Sequence, residues 1–229
     1  ALGTSSAAAL QDIVVTEDAD ETVLFQADAV VRQTVDSPII ATGNVKLSSD
    51  TDVAIGDRAV YDIDEAVVVL TGDNLKYTTP TETLTARDSL EYWETERVAV
   101  ARGDAVAVSE DRTLRGDVLT ARFDAGQAGA NELRRIDGQG NVNIRTATEF
   151  VVGDQGVYDA KTGIATLIGS VKITRGENQL NGDRVVVDLN TGVSRLTADG
   201  SGDGKTRVRG LLVPQKDENN SPADAGTGN

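Results

Sequence analysis

The sequence predicts an all-β protein, an open and twisted β-jellyroll-like stack of long antiparallel strands. Apolar and polar residues alternate along many segments, with Val, Ile, Thr and Tyr prominent, which is typical of strands with one buried face. A phrase of about thirty residues also recurs along the chain, which indicates stacked supersecondary units. The 3.6-residue spacing of an amphipathic helix is not sustained anywhere in the 229 residues.

The repeat is marked by five glycines, which we call the anchor glycines, each followed by a strand-like segment. They are spaced 29, 31, 37 and 29 residues apart: Gly43, Gly72, Gly103, Gly140 and Gly169. Eighteen or twenty residues after each anchor glycine, an alternating run ends on a bulky residue: Tyr61, Tyr92, Phe123, Tyr158 and Val187. A glycine within a strand marks a bulge or bend. Because the anchor glycines recur at the same position of each repeat, we predict that the sheet curves along one line through them.

Each unit is predicted to contain two long strands joined by a polar turn, as in residues 66–78 and 81–93. The tripeptides KTG at 161–163 and NTG at 190–192 predict tight hairpin turns. The third unit carries an insertion at 125–132, which predicts an enlarged loop.

We expect one domain over residues 22–214. Residues 1–21 are predicted to be a flexible leader, and their first ten residues are typical of the end of a secretory signal. Residues 215–229 are polar and acidic, which predicts a disordered tail. The basic segment at 205–213 is best interpreted as a last edge strand, with a docking arm or a lipid-headgroup contact as the alternatives.

Composition limits both the core and the partners. Hydrophobic residues make up 39% of the chain and aromatic residues only 3%, so a thin or open two-layer structure fits better than a thick core. The net charge of −15 disfavours binding to nucleic acid, so no nucleic-acid partner is expected. The sequence contains no Cys, Met or His, which excludes disulfides, cysteine zinc sites and histidine-based catalysis.

The carboxylates and hydroxyls do not form a catalytic pattern. Asp57, Asp88, Asp154 and Asp183 recur with the structural period, whereas a catalytic pair should occur once. A solvated or turn-capping role is the simpler interpretation. The sequence has no nucleophile elbow or phosphate loop, and residues 199–205 lack the terminal glutamate of a calcium loop. We therefore predict no enzyme, no catalytic residues, no cofactor and no metal site.

The apolar face of the repeated strands is the candidate binding site. Its residues have too little bulk to fill a wide interior, and the opposite face is consistently polar. Long strands with one apolar face can curve into a half-pipe that accepts an apolar ligand. The residues predicted to line this groove are Val45, Leu47, Ile55, Tyr61, Leu90, Tyr92, Phe123, Val142, Ile144, Tyr158, Val171, Ile173, Val185 and Val187.

Several phrases carry a likeness to a known family, over about residues 22–214: TGNVKL at 42–47, GDRAVYD at 56–62, GQGNVNI at 138–144, GVYDAKTGIATLIGSVKI at 156–173 and LNGDRVVVDLNTG at 180–192. With QADAVV at 26–31 as the opening strand and RVRGLLVP at 207–214 as the close, the series resembles the OstA-like (LptA) family of lipopolysaccharide-transport proteins.

The resemblance implies a periplasmic carrier that shields the lipid A acyl chains of lipopolysaccharide in an apolar groove and bridges the inner- and outer-membrane export complexes. It implies partners of the same fold, joined by strand addition at sheet edges, and end-to-end homo-oligomers. The same repeat occurs in the N-terminal domain of the outer-membrane lipopolysaccharide translocon, which stays open as an alternative. A secreted structural or adhesive β-solenoid, with parallel rungs around a sealed core, is the other alternative.

Overall fold

The computed structural model describes residues 11–18, 21–34, 37–49, 51–126, 131–198 and 208–211, and these form one sheet of seventeen strands. In chain order the strands are β1 (Gln11–Asp18), β2 (Glu21–Ala27), β3 (Ala29–Val31), β4 (Ile39–Ser48), β5 (Val53–Asp62), β6 (Val67–Thr71), β7 (Leu75–Thr78), β8 (Glu82–Ala86), β9 (Ser89–Trp93), β10 (Val98–Ser109), β11 (Arg112–Ala125), β12 (Asn131–Thr146), β13 (Phe150–Asp159), β14 (Ile164–Arg175), β15 (Asn178–Asp188), β16 (Val193–Thr197) and β17 (Arg209–Leu211). Within these residues, no helix is long and apolar enough to cross a membrane.

The strand pairings between described residues are all antiparallel. From β10 to β15 each strand pairs with the next along the chain, and β15 then pairs with both β16 and β17. The N-terminal part follows the same meander from β1 through β2, β4 and β5. The predicted class is confirmed, and the parallel rungs of the solenoid alternative are contradicted.

The second repeat differs from the predicted pair of long strands. The anchor glycine Gly72 and nearby Asn74 have φ angles of 122° and 60°, so the chain leaves the ladder between β6 and β7. The facing segment is likewise divided, into β8 and β9. β6 pairs with β9 and β7 with β8, so four short strands occupy the place of two long ones.

The other four anchor glycines form β-bulges, as predicted. Each anchor glycine and the residue after it have positive φ angles, between 47° and 82°, and together they face one aspartate of the next strand. The pairs are Gly43–Asn44 facing Asp57, Gly103–Asp104 facing Asp117, Gly140–Asn141 facing Asp154 and Gly169–Ser170 facing Asp183. The bulges lie at matching levels of successive hairpins, so they can bend the whole sheet along one line.

Two boundaries differ from those predicted. The insertion at 125–132 is not all loop, because Ala125 pairs with Asn131 and thereby lengthens the hairpin of β11 and β12. Its residues 127–130 lie outside the described part. At the start of the chain, β1 falls inside the predicted leader of residues 1–21 and pairs with β2. The first ten residues, 199–207 and the predicted tail lie outside the described residues.

Apolar side chains on the inner face form two buried clusters. The first extends from Phe25 to Leu119, and the second from Val142 to Val187. Leu114 of β11 packs against both clusters, so the two form one apolar interior along the repeat axis. Most members are Val, Leu, Ile or Ala, which matches the low aromatic content.

Candidate functional site

The sheet curls so that the turns at one end of its strands contact the turns at the other end. The turns at one end, which we call the first rim, join β4 to β5, β7 to β8, β10 to β11, β12 to β13 and β14 to β15. The turns at the other end, the second rim, join β5 to β6, β9 to β10, β11 to β12, β13 to β14 and β15 to β16.

The contact between Glu149 and Ser194 shows this closure. Glu149 lies at the first rim, just before β13. Ser194 lies at the second rim, at the same height in the sheet as Tyr158. The cross-strand pairs that connect these two residues are Ser194–Val187, Val187–Ala165 and Ala165–Tyr158. In a flat sheet the nine residues from Glu149 to Tyr158 would separate these levels by about 30 Å. The Ser194 hydroxyl nevertheless donates to Glu149 Oε2 at 2.7 Å. The apolar face is therefore enclosed between the two rims.

Most of the residues predicted to line a groove lie in this interior. Ten of the fourteen have at most 8% of their surface exposed: Val45, Leu47, Tyr61, Leu90, Val142, Ile144, Val171, Ile173, Val185 and Val187. Three more are partly buried: Tyr92, Phe123 and Tyr158. The structure thus buries thirteen of them at least partly, and ten of these, all but Tyr61, Tyr92 and Phe123, pack in or against the two clusters.

Ile55 is placed wrongly by the sequence pattern. Its side chain is 37% exposed, while its neighbours Ala54 and Gly56 lie on the core side of β5. The buried positions resume at Ala59, because the bulge opposite Asp57 shifts the alternation by one residue. A strict two-residue period carried through the bulge therefore assigns Ile55 to the wrong face.

A narrow crevice lies against the second cluster, beside Leu114. Its volume is about 10 Å³, which is room for roughly one water molecule. Apolar side chains dominate its lining: Leu114, Ile136, Val142, Ile144, Tyr158 and Leu167. The sequence predicted Val142, Ile144 and Tyr158 but missed the other three. Ile136 and Leu167 precede their anchor glycines on the same alternating face, so extending the alternation backwards through each glycine would have found them.

A wider polar cleft of about 390 Å³ opens at the rims beside this crevice. Tyr158 lines both spaces, and the other lining residues come from the first rim: Thr81, Glu82, Ser109, Glu110, Asp111 and Arg112. The guanidinium of Arg112 lies 5.9 Å from the Tyr158 ring centroid, and its Nη1 donates to the tyrosine hydroxyl at 3.5 Å. The Asp111 carboxylate, hydrogen-bonded to Arg112, raises the Arg112 pKa further. The cleft thus has polar walls and an apolar floor.

Three tyrosines direct their hydroxyls to polar partners near the rims. Tyr61 donates to Glu94 at 3.3 Å, and the Tyr92 hydroxyl accepts from Asn131 at 2.8 Å. Tyr77 donates to Asp52, and burial together with this hydrogen bond raises the Tyr77 pKa well above its ordinary range. Each tyrosine ring can contribute apolar surface to the interior while its hydroxyl keeps a hydrogen-bond partner near the rim.

The aspartates that recur before the bulges have a structural role. Asp57 accepts from the backbone amide of Asp73 at 2.6 Å, next to the anchor glycine Gly72. Asp117 accepts from Asn141, which follows the anchor glycine Gly140. Asp57 and Asp117 therefore each hold the anchor-glycine segment of the following repeat, so their recurrence follows from the architecture.

A second set of recurring aspartates caps the hairpin turns of the second rim. Asp62 accepts from the amides of Asp64 and Glu65. Hydrogen bonds from the Thr162 amide and hydroxyl lower the Asp159 pKa, and hydrogen bonds from Thr191 and Asn190 lower that of Asp188. These carboxylates are engaged as turn caps. Among the described residues, no three acidic side chains converge as metal ligands would.

A rolled antiparallel sheet of thirty-residue repeats, with an apolar interior and polar rims, defines the class of this protein as an all-β repeat protein of the β-jellyroll type. The family model described as "LptA/(LptD N-terminal domain) LPS transport protein" matches residues 84–193 and again residues 150–211, together more than half of the chain. The chain therefore belongs to this family of lipopolysaccharide-transport proteins, as its resemblance implied. The overlap of the two matches at 150–193 is expected of an internal repeat.

A solved structure shows the same fold. The crystal structure of LptH, described as the LptA-homologous periplasmic component of the conserved lipopolysaccharide transport device from Pseudomonas aeruginosa, matches with a TM-score of 0.51 and 19% sequence identity. The match covers 58% of this chain and 95% of that chain. No curated protein matches the chain significantly.

Proposed function

We propose that this protein binds lipopolysaccharide by its acyl chains in the apolar interior and carries it across the periplasm. The observation that supports this most is the continuous apolar interior, in which Leu114 joins the two clusters, in a chain of a lipopolysaccharide-transport family. The thirteen inward-facing residues of the sequence prediction are proposed as its lining, together with Leu114, Ile136 and Leu167.

The hydrophobic effect favours such a carrier. Each methylene moved from water into an apolar site gains about 0.8 kcal/mol, so a lipid with several acyl chains does not cross water unaided at a useful rate. The net charge of −15 and the acidic side chains Glu82, Glu110 and Asp111 at the cleft make lipid phosphates an unfavourable handle. The acyl chains are therefore the part that the protein holds.

The sheet edges provide surfaces for partners of the same fold. β1 pairs only with β2, and β16 and β17 pair only with β15 among the described strands. Val193 and Leu211 on the latter edge are 64% and 63% exposed. Strand addition at these edges would extend both the sheet and its apolar interior, joining the protein to inner- and outer-membrane components or to further copies of itself end to end.

The N-terminal domain of the outer-membrane translocon remains the second candidate, because the matching family model includes both kinds of protein. The two candidates differ in their partners. Co-purification of the full-length protein with the inner-membrane transport complex would favour the bridge, whereas its insertion in the outer membrane would favour the translocon.

Photo-crosslinking tests the proposed binding site. Benzoylphenylalanine at Tyr158 or Tyr92, which preserves an aromatic ring facing the interior, should capture lipopolysaccharide on irradiation. Ile55 is the matched control, since it is apolar but lies on the outer face, and Arg58 and Arg184 are exposed polar controls. Capture that is equal at Ile55 and Tyr158, or confined to the outer sites, would contradict the proposal.

A further inference from the structure

A buried carboxylate joins the two rims at the C-terminal end of the interior. Glu149 of the first rim is only 7% exposed. One of its oxygens pairs with the Arg175 guanidinium, and the other accepts from the Ser194 hydroxyl at 2.7 Å. The same Arg175 nitrogen donates to the Gly192 carbonyl at 3.1 Å. Because Gly192 and Ser194 belong to the second rim, we call the group Glu149, Arg175, Gly192 and Ser194 the rim latch.

The rim latch is not part of the strand ladders. Glu149 and Ser194 are 45 residues apart, and β13 and β16 are separated by β14 and β15 in the sheet. Phe150 pairs with Thr174, so Glu149 and Arg175 are cross-strand neighbours within the first rim. The contacts of Glu149 with Ser194 and of Arg175 with Gly192 exist only because the sheet has rolled. Both carboxylate oxygens have partners, as a buried charge requires. Separating the rims would break two charge-assisted hydrogen bonds together, from Ser194 to Glu149 and from Arg175 to the Gly192 carbonyl.

The interior that the rims enclose is filled by the protein's own side chains. The crevice against the second cluster measures about 10 Å³, and Leu167, Val171 and Val185 are at most 1% exposed. An acyl chain can occupy this interior only if the two halves of the sheet move apart. The contact at Arg112 and Tyr158, where the rims meet in the middle of the molecule, consists of a 3.5 Å hydrogen bond and a cation–π contact at 5.9 Å from the ring centroid. The rim latch is the stronger of these two connections.

We infer that the rim latch holds the rolled sheet closed and that it must open before an acyl chain enters the second cluster from the side. The inference rests on the proposed function, because it names the route by which lipid reaches that interior. Opening starts at the cleft beside Tyr158, where the connection is weak, and breaking the rim latch extends it toward β16. Closure after uptake restores the contacts of Glu149 with Ser194 and of Arg175 with Gly192.

Cross-linking tests the route directly, because the sequence contains no cysteine. In the variant Glu149→Cys/Ser194→Cys, dibromobimane would bridge the rims. The control is Thr174→Cys/Gln179→Cys, which bridges two paired residues of one hairpin and leaves the rims free to part. We expect the bridged rim variant to lose binding of fluorescent lipopolysaccharide, while its unbridged form and the bridged control retain it. Equal uptake by the bridged and unbridged rim variant would overturn the inference.

Amide hydrogen exchange tests the rim latch without lipid. Ser194→Ala removes one hydrogen bond, and we expect exchange in residues 146–150 and 193–197 to accelerate about tenfold. Ser89→Ala is the matched control, because Ser89 also donates to a carboxylate, Glu91, but within one strand. Unchanged exchange in Ser194→Ala and Glu149→Gln would overturn the inference. If the wild-type protein takes up no lipopolysaccharide, the proposed function fails, and the exchange measurement alone decides whether the rim latch exists.

Discussion

Gly169 lies directly against the side chain of Asp154, so that a Cβ at position 169 would come within 2.9 Å of the Asp154 Cβ. Each of the other anchor glycines is likewise packed against the side chain of an aspartate that precedes it in the chain: Gly43 and Asp28, Gly72 and Asp57, Gly103 and Asp88, Gly140 and Asp117. The anchor glycine is therefore required for two reasons, its positive φ angle and the aspartate packed against it.

We predict that Gly169→Ala lowers the free energy of unfolding by about 2–3 kcal/mol, from left-handed backbone strain and the clash with Asp154. A Cβ at position 169 would also meet the Asp154 carboxylate, so the double variant Asp154→Ala/Gly169→Ala should recover the part of the clash that comes from the carboxylate, giving a measurable coupling energy. Urea unfolding of the wild type, both single variants and the double variant measures this. Simple additivity of the two single effects would contradict the packing argument.

The turns of the second rim offer a test of backbone strain alone. Gly163 and Gly192 occupy the fifth position of their turns and each have a φ angle of 71°. The first two repeats have Ala66 and Arg97 at this position, with φ angles of 49° and 51°. A Cβ at Gly192 would meet no atom within 4 Å, so only the left-handed backbone disfavours it.

We therefore predict opposite effects at two equivalent positions. Ala66→Gly should raise the free energy of unfolding by roughly 0.5–1 kcal/mol, and Gly192→Ala should lower it by a similar amount. Thermal unfolding should show a shift of about 2–4 °C per kcal/mol for a domain of this size. Destabilisation by Ala66→Gly would show that Ala66 is not strained in the folded protein.

The ion pair between Glu91 and Arg102 predicts a dependence on acid pH. Burial alone would raise the Glu91 pKa, but hydrogen bonds from Arg102, at 2.7 Å, and Ser89 outweigh it, and the pKa is lowered. A carboxyl whose folded-state pKa is depressed stabilises the fold above its ordinary pKa, and this contribution is lost as pH falls through the folded-state value.

Glu91→Gln should accordingly lower the free energy of unfolding at pH 7 by about 0.5–1 kcal/mol, since Arg102 is half exposed and the pair is screened. The difference from the wild type should shrink as the pH falls below about 4.3, the ordinary glutamate pKa. Urea unfolding at a series of pH values measures it. A difference that stays constant from pH 7 to pH 3 would contradict the assignment to this carboxyl.

Leu167 and Ile168 are adjacent on β14 but face opposite sides of the sheet. Leu167 is fully buried, whereas Ile168 is 42% exposed. We predict that Leu167→Ala costs about 2–5 kcal/mol through lost burial and a cavity. Ile168→Ala, as the matched control, should change the free energy of unfolding by about 0.5 kcal/mol or less. Similar losses in the two variants would mean that the inner face is assigned wrongly.

Local sequence patterns predicted much of the fold. Alternation over a few residues identified the strands, and glycine and aspartate recurring every thirty residues identified the repeat, its bulges and its turns. Val171, Ile173, Val185 and Val187 were assigned to the inner face correctly, because no bulge interrupts the alternation within each of these pairs. The family resemblance rested on the same recurring phrases, and the family model confirms it.

Two features depended on contacts between distant residues. Ile55 faces outward because the bulge at Gly43–Asn44, on another strand, shifts the alternation of β5. Glu149 meets Ser194 because curvature accumulates over successive bulged strands until the rims touch. A periodicity records which side of a strand is apolar, but it contains no measure of how far a sheet curls. Neighbouring residues in the chain thus specify that each strand has an apolar face. Only the rolling of the sheet turns this face into an enclosed interior, with the buried Glu149 where the rims meet.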